Sequence, residues 1–155
     1  MDKLGTYLND HLGGATGGLE LARRARASNK DNEFGELLED LVDELEEERD
    51  GLISMIKEMG YRRDRLKVAG GWLGEKFARL KPNDSVFSYS PLSRLIELEG
   101  LTVGVAGKRS MWINLQAAGV RTDAIDFVAL KAQADSQLAR LEPLRKKAAI
   151  AALAD

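Results

Sequence analysis

An all-α fold, an antiparallel four-helix bundle with one additional shorter helix, is predicted by three features of the sequence. Apolar residues recur at every third or fourth position rather than every second one. Only three prolines interrupt the 155 residues, at positions 82, 91 and 143. The polar breaks between periodic segments are short, and long helices joined by short turns pack antiparallel. With 44% apolar content, a chain of this length buries about two-thirds of its unfolded surface, so residues 1–155 are expected to form a single domain.

The first helix is predicted over residues 2–28, where Leu4, Leu8, Leu12, Ala15, Leu19 and Ala22 form one stripe. Ser28 to Asn32 is a polar turn whose Asp31 or Asn32 caps the second helix. That helix carries Phe34, Leu38, Leu41, Leu45, Leu52, Met55, Ile56 and Met59, and Gly60 stops it in a left-handed conformation. A third, shorter helix is expected from about 62 to 80 through Leu66, Ala69, Leu73, Phe77 and Leu80, weakened by Gly70, Gly71 and Gly74. After a loop from Lys81 to Tyr89, Ser90 as cap and Pro91 in the first turn start the fourth helix. Its predicted stripe is Leu92, Leu95, Ile96, Val103, Ala106 and Ile113, and Gly119 ends it. Thr122 or Asp123 then starts a fifth helix, striped by Phe127, Leu130, Ala134, Leu138 and Leu141, that continues through Pro143 with a kink.

The charge balance, 23 basic against 25 acidic residues, supplies no global field for nucleic acid or an anionic membrane. The absence of cysteine excludes disulfides, thiolate metal sites and cysteine nucleophiles. No apolar run reaches a membrane-spanning length and no apolar signal core opens the chain, so a cytoplasmic protein is expected. The second helix holds ten acidic residues between Glu33 and Asp50, and residues 62–81 hold Arg62, Arg63, Arg65, Lys67, Lys76, Arg79 and Lys81. These read as compensating solvated faces; without interleaved aromatics the basic strip is a weak phosphate-binding signal. Neither a phosphate-binding glycine loop, Gly-x-Ser-x-Gly nor His-Glu-x-x-His occurs, and no enzymatic activity is expected.

Two features remain. Gly13-Gly14 and Gly17-Gly18 lie inside the first helix, each costing up to about 1 kcal/mol against alanine, so a compensating close approach is expected, by Trp72 or Trp112 or by a ligand. The second feature is charge on apolar stripes: His11 on the first helix, Arg49 with Glu48 on its flank on the second, and Glu99 on the fourth. Unpaired buried charge costs several kcal/mol, so these four are expected to share one interior. In one reading they form a polar core that fixes helix register, with no metal and no cofactor. In the other, His11, Glu48 and Glu99 ligate a divalent metal, iron or manganese, against which the cationic Arg49 tells.

The segments Tyr7-Leu8-Asn9-Asp10-His11-Leu12, Glu20-Leu21-Ala22-Arg23-Arg24, Trp72-Leu73-Gly74-Glu75-Lys76, Tyr89-Ser90-Pro91-Leu92-Ser93-Arg94 and Glu97-Leu98-Glu99-Gly100 resemble the ferritin-like superfamily, and within it a group of uncharacterised bacterial ferritin-like proteins. The resemblance implies glutamates and Glu-x-x-His pairs as di-iron ligands. Here Gly51 follows Glu48 at the third position and Thr102 follows Glu99, so that standard set cannot be built. The expectation is a non-enzymatic binding or interaction module, a homo-oligomer such as a homodimer formed through a glycine-grooved or Trp-bearing face, whose protein or small apolar ligand the sequence leaves open. The alternative is a divergent metal-binding protein of redox or stress-related role.

Overall fold

The computed structural model describes residues 2–64 and 89–154. They form four long helices, α1 (Lys3–Ser28), α2 (Glu33–Glu58), α3 (Pro91–Ala117) and α4 (Phe127–Leu153), with no strand among the described residues. Local chemistry sets most of the ends. Asp2 accepts from the N–H groups of Leu4 and Gly5, Asn32 from Phe34, and Asp126 from Val128 and Ala129. Ser90 and Ser93 close a reciprocal capping box ahead of α3, with Pro91 in the first turn. Gly60 and Gly119 take φ of 75° and 70°, which lets Tyr61 N–H reach Ile56 O and Val120 N–H reach Leu115 O, each at 3.0 Å.

Cross-helix contacts fix the directions. Arg23 meets Glu46, Arg24 meets Glu97, and Tyr7 Oη accepts from Asn114 at 3.2 Å, so α1 runs antiparallel to both α2 and α3. Glu33 meets Lys147, Glu58 meets Thr122, and Arg109 meets Asp135, so α4 also opposes α2 and α3. It follows that α2 and α3 run parallel, and the chain from Met59 to Ser90 returns the full length of a helix, about 39 Å. Asn9 holds the near end of that crossover: its Nδ2 donates to Arg62 O at 3.1 Å and its Oδ1 accepts from Asp64 N–H at 2.8 Å.

The interior divides into two apolar blocks. One gathers Leu19, Ala22, Phe34, Leu38, Leu41, Leu95, Leu98, Leu101, Ala134 and Leu141; the other gathers Leu8, Leu12, Leu52, Met55, Ile56, Met111, Trp112 and Leu115.

Three expectations need correction. The fifth predicted helix begins at Phe127, not at Thr122 or Asp123, because Glu58 accepts from the Thr122 hydroxyl and from the N–H groups of Asp123 and Ala124 and holds them out of a helix. The fourth predicted helix turns a different face inward: Leu95, Leu98, Leu101, Val105, Trp112 and Leu115 are buried, while Leu92, Val103, Ala106 and Ile113 are exposed and Ile96 is half-buried. Two apolar stripes run along this segment, and the one with the larger side chains fills the core. Arg62 to Asp64 are not helical, and the remainder of the expected third helix, Trp72 included, lies outside the described residues.

Candidate functional site: a polar layer across the core

Between the two apolar blocks lies a layer of charge. Glu48 of α2 is buried to 6% exposure although the residues around it on the same helix are strongly acidic. Lys108 of α3 donates its ammonium to Glu48 Oε2, and Gln137 of α4, with no exposed surface, donates Nε2 to Glu48 Oε1 and to Glu44 Oε2, both at 2.8 Å. Arg140, one turn on from Gln137, forks onto both oxygens of Glu44 at 2.8 and 2.6 Å. Burial pulls the Lys108 ammonium below the usual lysine pKa while the Glu48 carboxylate opposes that fall. Gln137 Oε1 has no hydrogen-bond partner among the described residues.

The contacts Tyr7 to Asn114 and Arg24 to Glu97 are in register, which sets Lys108 level with Gly13 and the segment through Gly18. A Cβ placed at Gly14, Gly17 or Gly18, or at Gly104 and Gly107 of α3, would meet nothing within 4 Å among the described residues. Trp112 does not pack into these glycines; it is buried at 1% exposure and stacks on Phe127 at 6.1 Å between ring centroids.

A second buried cluster closes the opposite end from Gly60. Glu97, 4% exposed, accepts from the Tyr89 hydroxyl at 2.8 Å and pairs with Arg24 at 3.4 Å. Asn29 donates to Ala25 O and to Tyr89 Oη at 2.7 Å each and accepts from Arg94 Nε at 2.7 Å; the Arg94 guanidinium also lies 4.5 Å over the Phe34 ring. Burial drives the Glu97 carboxyl above its ordinary pKa, against the pull of Tyr89 and Arg24, and pushes the Tyr89 phenol up to about 12. This cluster pins the far end of the crossover to α1 and α3.

The four residues expected to converge do not. Glu48 alone is in the polar layer. His11 is half-buried near the other end of α1, its ring edge-on to Tyr7 with centroids 4.6 Å apart, and burial lowers its pKa against the opposing pull of Asp10. Arg49 bends to the surface, binding Asp50 at 2.8 Å and Glu46 at 3.7 Å. Glu99 is exposed, because the stripe it belongs to faces outward. His11, Glu48 and Glu99 are therefore not gathered as ligands, and among the described residues no group of three such side chains is placed to hold a metal ion.

Lys108, Gln137 and Glu97 are not among the residues that the sequence singles out, although spacing contains two of them. Lys108 continues Leu101, Val105, Trp112 and Leu115, and Gln137 continues Ala134, Leu141 and Ala148, at intervals of three and four. Among the described residues no helix is long and apolar enough to cross a membrane. The fold and site define an all-helical protein with a charged layer inside its core. Comparison with known protein families, with curated proteins and with solved structures finds no match.

Proposed function

We propose that this chain is a non-enzymatic, ferritin-like helical bundle in which an ion-pair layer stands where related bundles carry a metal centre, and that it serves as a binding or interaction module. The ammonium of Lys108 on the buried Glu48 carboxylate carries this reading. A cation-binding bundle core collects carboxylates from facing helices so that their charge needs a metal. Here the facing helix supplies a fixed positive charge instead, and Gln137 saturates the remaining carboxylate oxygen. The single long crossover between the parallel helices α2 and α3 is the connectivity that ferritin-like bundles use. Holding helix register is the role such a buried ion-pair layer performs.

Elemental analysis of protein purified without chelator tests the reading. Iron, manganese and zinc are expected at less than about a tenth of an equivalent per chain, unchanged in Glu48→Gln, a level that separates adventitious from site-specific binding. Stoichiometric metal that disappears in Glu48→Gln would sink it.

A further inference from the structure

Gln137 has no exposed surface, yet only one side of its amide is spent. Its Nε2 donates to Glu44 Oε2 and to Glu48 Oε1, both at 2.8 Å, while Oε1 has no hydrogen-bond partner among the described residues. Turning the amide over brings no relief, because it would set the carbonyl oxygen against two carboxylates that need a donor. The orientation is fixed, and what is left over is a carbonyl acceptor inside the core. Buried acceptors of this kind are satisfied in nearly every folded protein, by the chain itself or by an ordered water.

The layer also holds a donor with capacity to spare. An ammonium carries three N–H groups, and Lys108 gives one of them to Glu48 Oε2. The other oxygen of that same carboxylate is the one that Gln137 holds, so ammonium and amide meet at the two ends of one carboxylate group. A helical side chain leans back toward the start of its helix, which carries Lys108 over the half-buried Gly104. A methyl added there would meet nothing within 4 Å among the described residues, so this turn of α3 leaves room beside the ammonium.

Charge selects what can sit there. Glu44 and Glu48 are balanced by Arg140 and Lys108, so the layer calls for neither an anion nor a cation. An anion would face the carbonyl oxygen of Gln137, and a cation would face the ammonium of Lys108. A neutral molecule that donates to one and accepts from the other fits both, and water is the smallest that does.

We propose that the polar layer binds one internal water molecule, which donates to Gln137 Oε1 and accepts from Lys108 Nζ. This rests on the reading of the layer as a metal-free ion-pair network and adds its remaining member: the layer is hydrated, and every buried polar atom of Gln137 is then satisfied.

A crystal structure locates such a water, and magnetic relaxation dispersion of water oxygen counts the long-lived internal waters in solution. In the parent chain a water oxygen is expected between Gln137 Oε1 and Lys108 Nζ, at about 2.8 Å from each. Gln137→Met keeps the length of the side chain and removes the amide, and its dispersion amplitude should be smaller than that of the parent by the contribution of one water. Should that variant not fold, the crystal structure of the parent decides alone. A dry position between the two groups overturns the proposal, as does an Oε1 that accepts from an N–H or O–H of the chain itself. An amplitude unchanged in a folded Gln137→Met does the same. Elemental analysis of the same sample separates the two readings: a dry, metal-free layer rejects the water alone, whereas a metal ion on Glu48 rejects the ion-pair reading and the water with it.

Discussion

Lys108 decides whether the interior is neutral. Removing it leaves the 6%-exposed Glu48 carboxylate facing only the amide of Gln137, and a buried charge stripped of its partner costs about 3–5 kcal/mol. Lys108→Met is therefore expected to lower unfolding free energy by about that much in denaturant titration. Glu48→Leu combined with Lys108→Met removes both charges and extends the apolar blocks toward one another. The double variant should recover most of the loss, since apolar replacement of a whole buried pair is often neutral or better. A double variant as unstable as the sum of its single changes would mean that the two side chains act independently. This pair is half legible in the sequence. Helical phase sets Glu48 only on the flank of the stripe and puts Arg49 within it, and the partners that phase suggests, Arg49 and His11, stand nearer polar surface or the end of α1. Phase on one helix says which way a residue points; it does not say which residue of another helix stands opposite.

At the scale of the helix, ends are more legible than faces. Asn32, the Ser90-Pro91 start and the Gly60 and Gly119 stops are readable from sequence because each works through backbone groups within a few residues. The start of α4 is not, because Glu58, far away in sequence, captures the N–H groups that a helix beginning at Thr122 would use. The buried face of α3 escapes for a related reason: two stripes satisfy the period, and only packing against α1 and α4 selects between them. The glycines of α1 give a test at this scale. Among the described residues nothing approaches the missing methyl of Gly14 or Gly17, so Gly14→Ala and Gly17→Ala should each stabilise by about 0.5–1 kcal/mol through helix propensity. Gly35 is the opposite case. A methyl there would collide with the backbone carbonyl of Asn29 in the α1 to α2 turn, so Gly35→Ala should destabilise by about 1–3 kcal/mol. Thermal melts of the three variants separate the glycines that only cost helix stability from the one that admits a turn.

Across the whole molecule, the half-buried His11 and the buried Glu97 titrate in opposite senses at the two ends of the helices. His11 has its pKa lowered from 6.5 by burial, so the unfolded chain binds its proton more readily. Its contribution is present above pH 6.5 and is lost as pH falls toward the folded value. Glu97 has its pKa raised from 4.5 by burial, so the folded chain is the better proton acceptor. Its contribution is present below pH 4.5 and is lost as pH rises through the folded value; acidification from neutrality restores it. Asp2, Glu58, Asp135 and Glu142 have lowered values and lose their stabilising partners only in stronger acid, below their ordinary range of 3.8 to 4.5. As pH falls below 6.5 His11 lowers stability, and as pH falls toward 4.5 Glu97 raises it, so the two slopes oppose one another. Denaturant midpoints measured from neutrality down to pH 4.5 should fall more steeply on acidification in Glu97→Gln than in the parent chain, because the restoring contribution is gone. In His11→Gln they should flatten or rise. Equal slopes in all three proteins would show that neither group is held in the environment that its burial implies, and that the two ends of the helices are open to water.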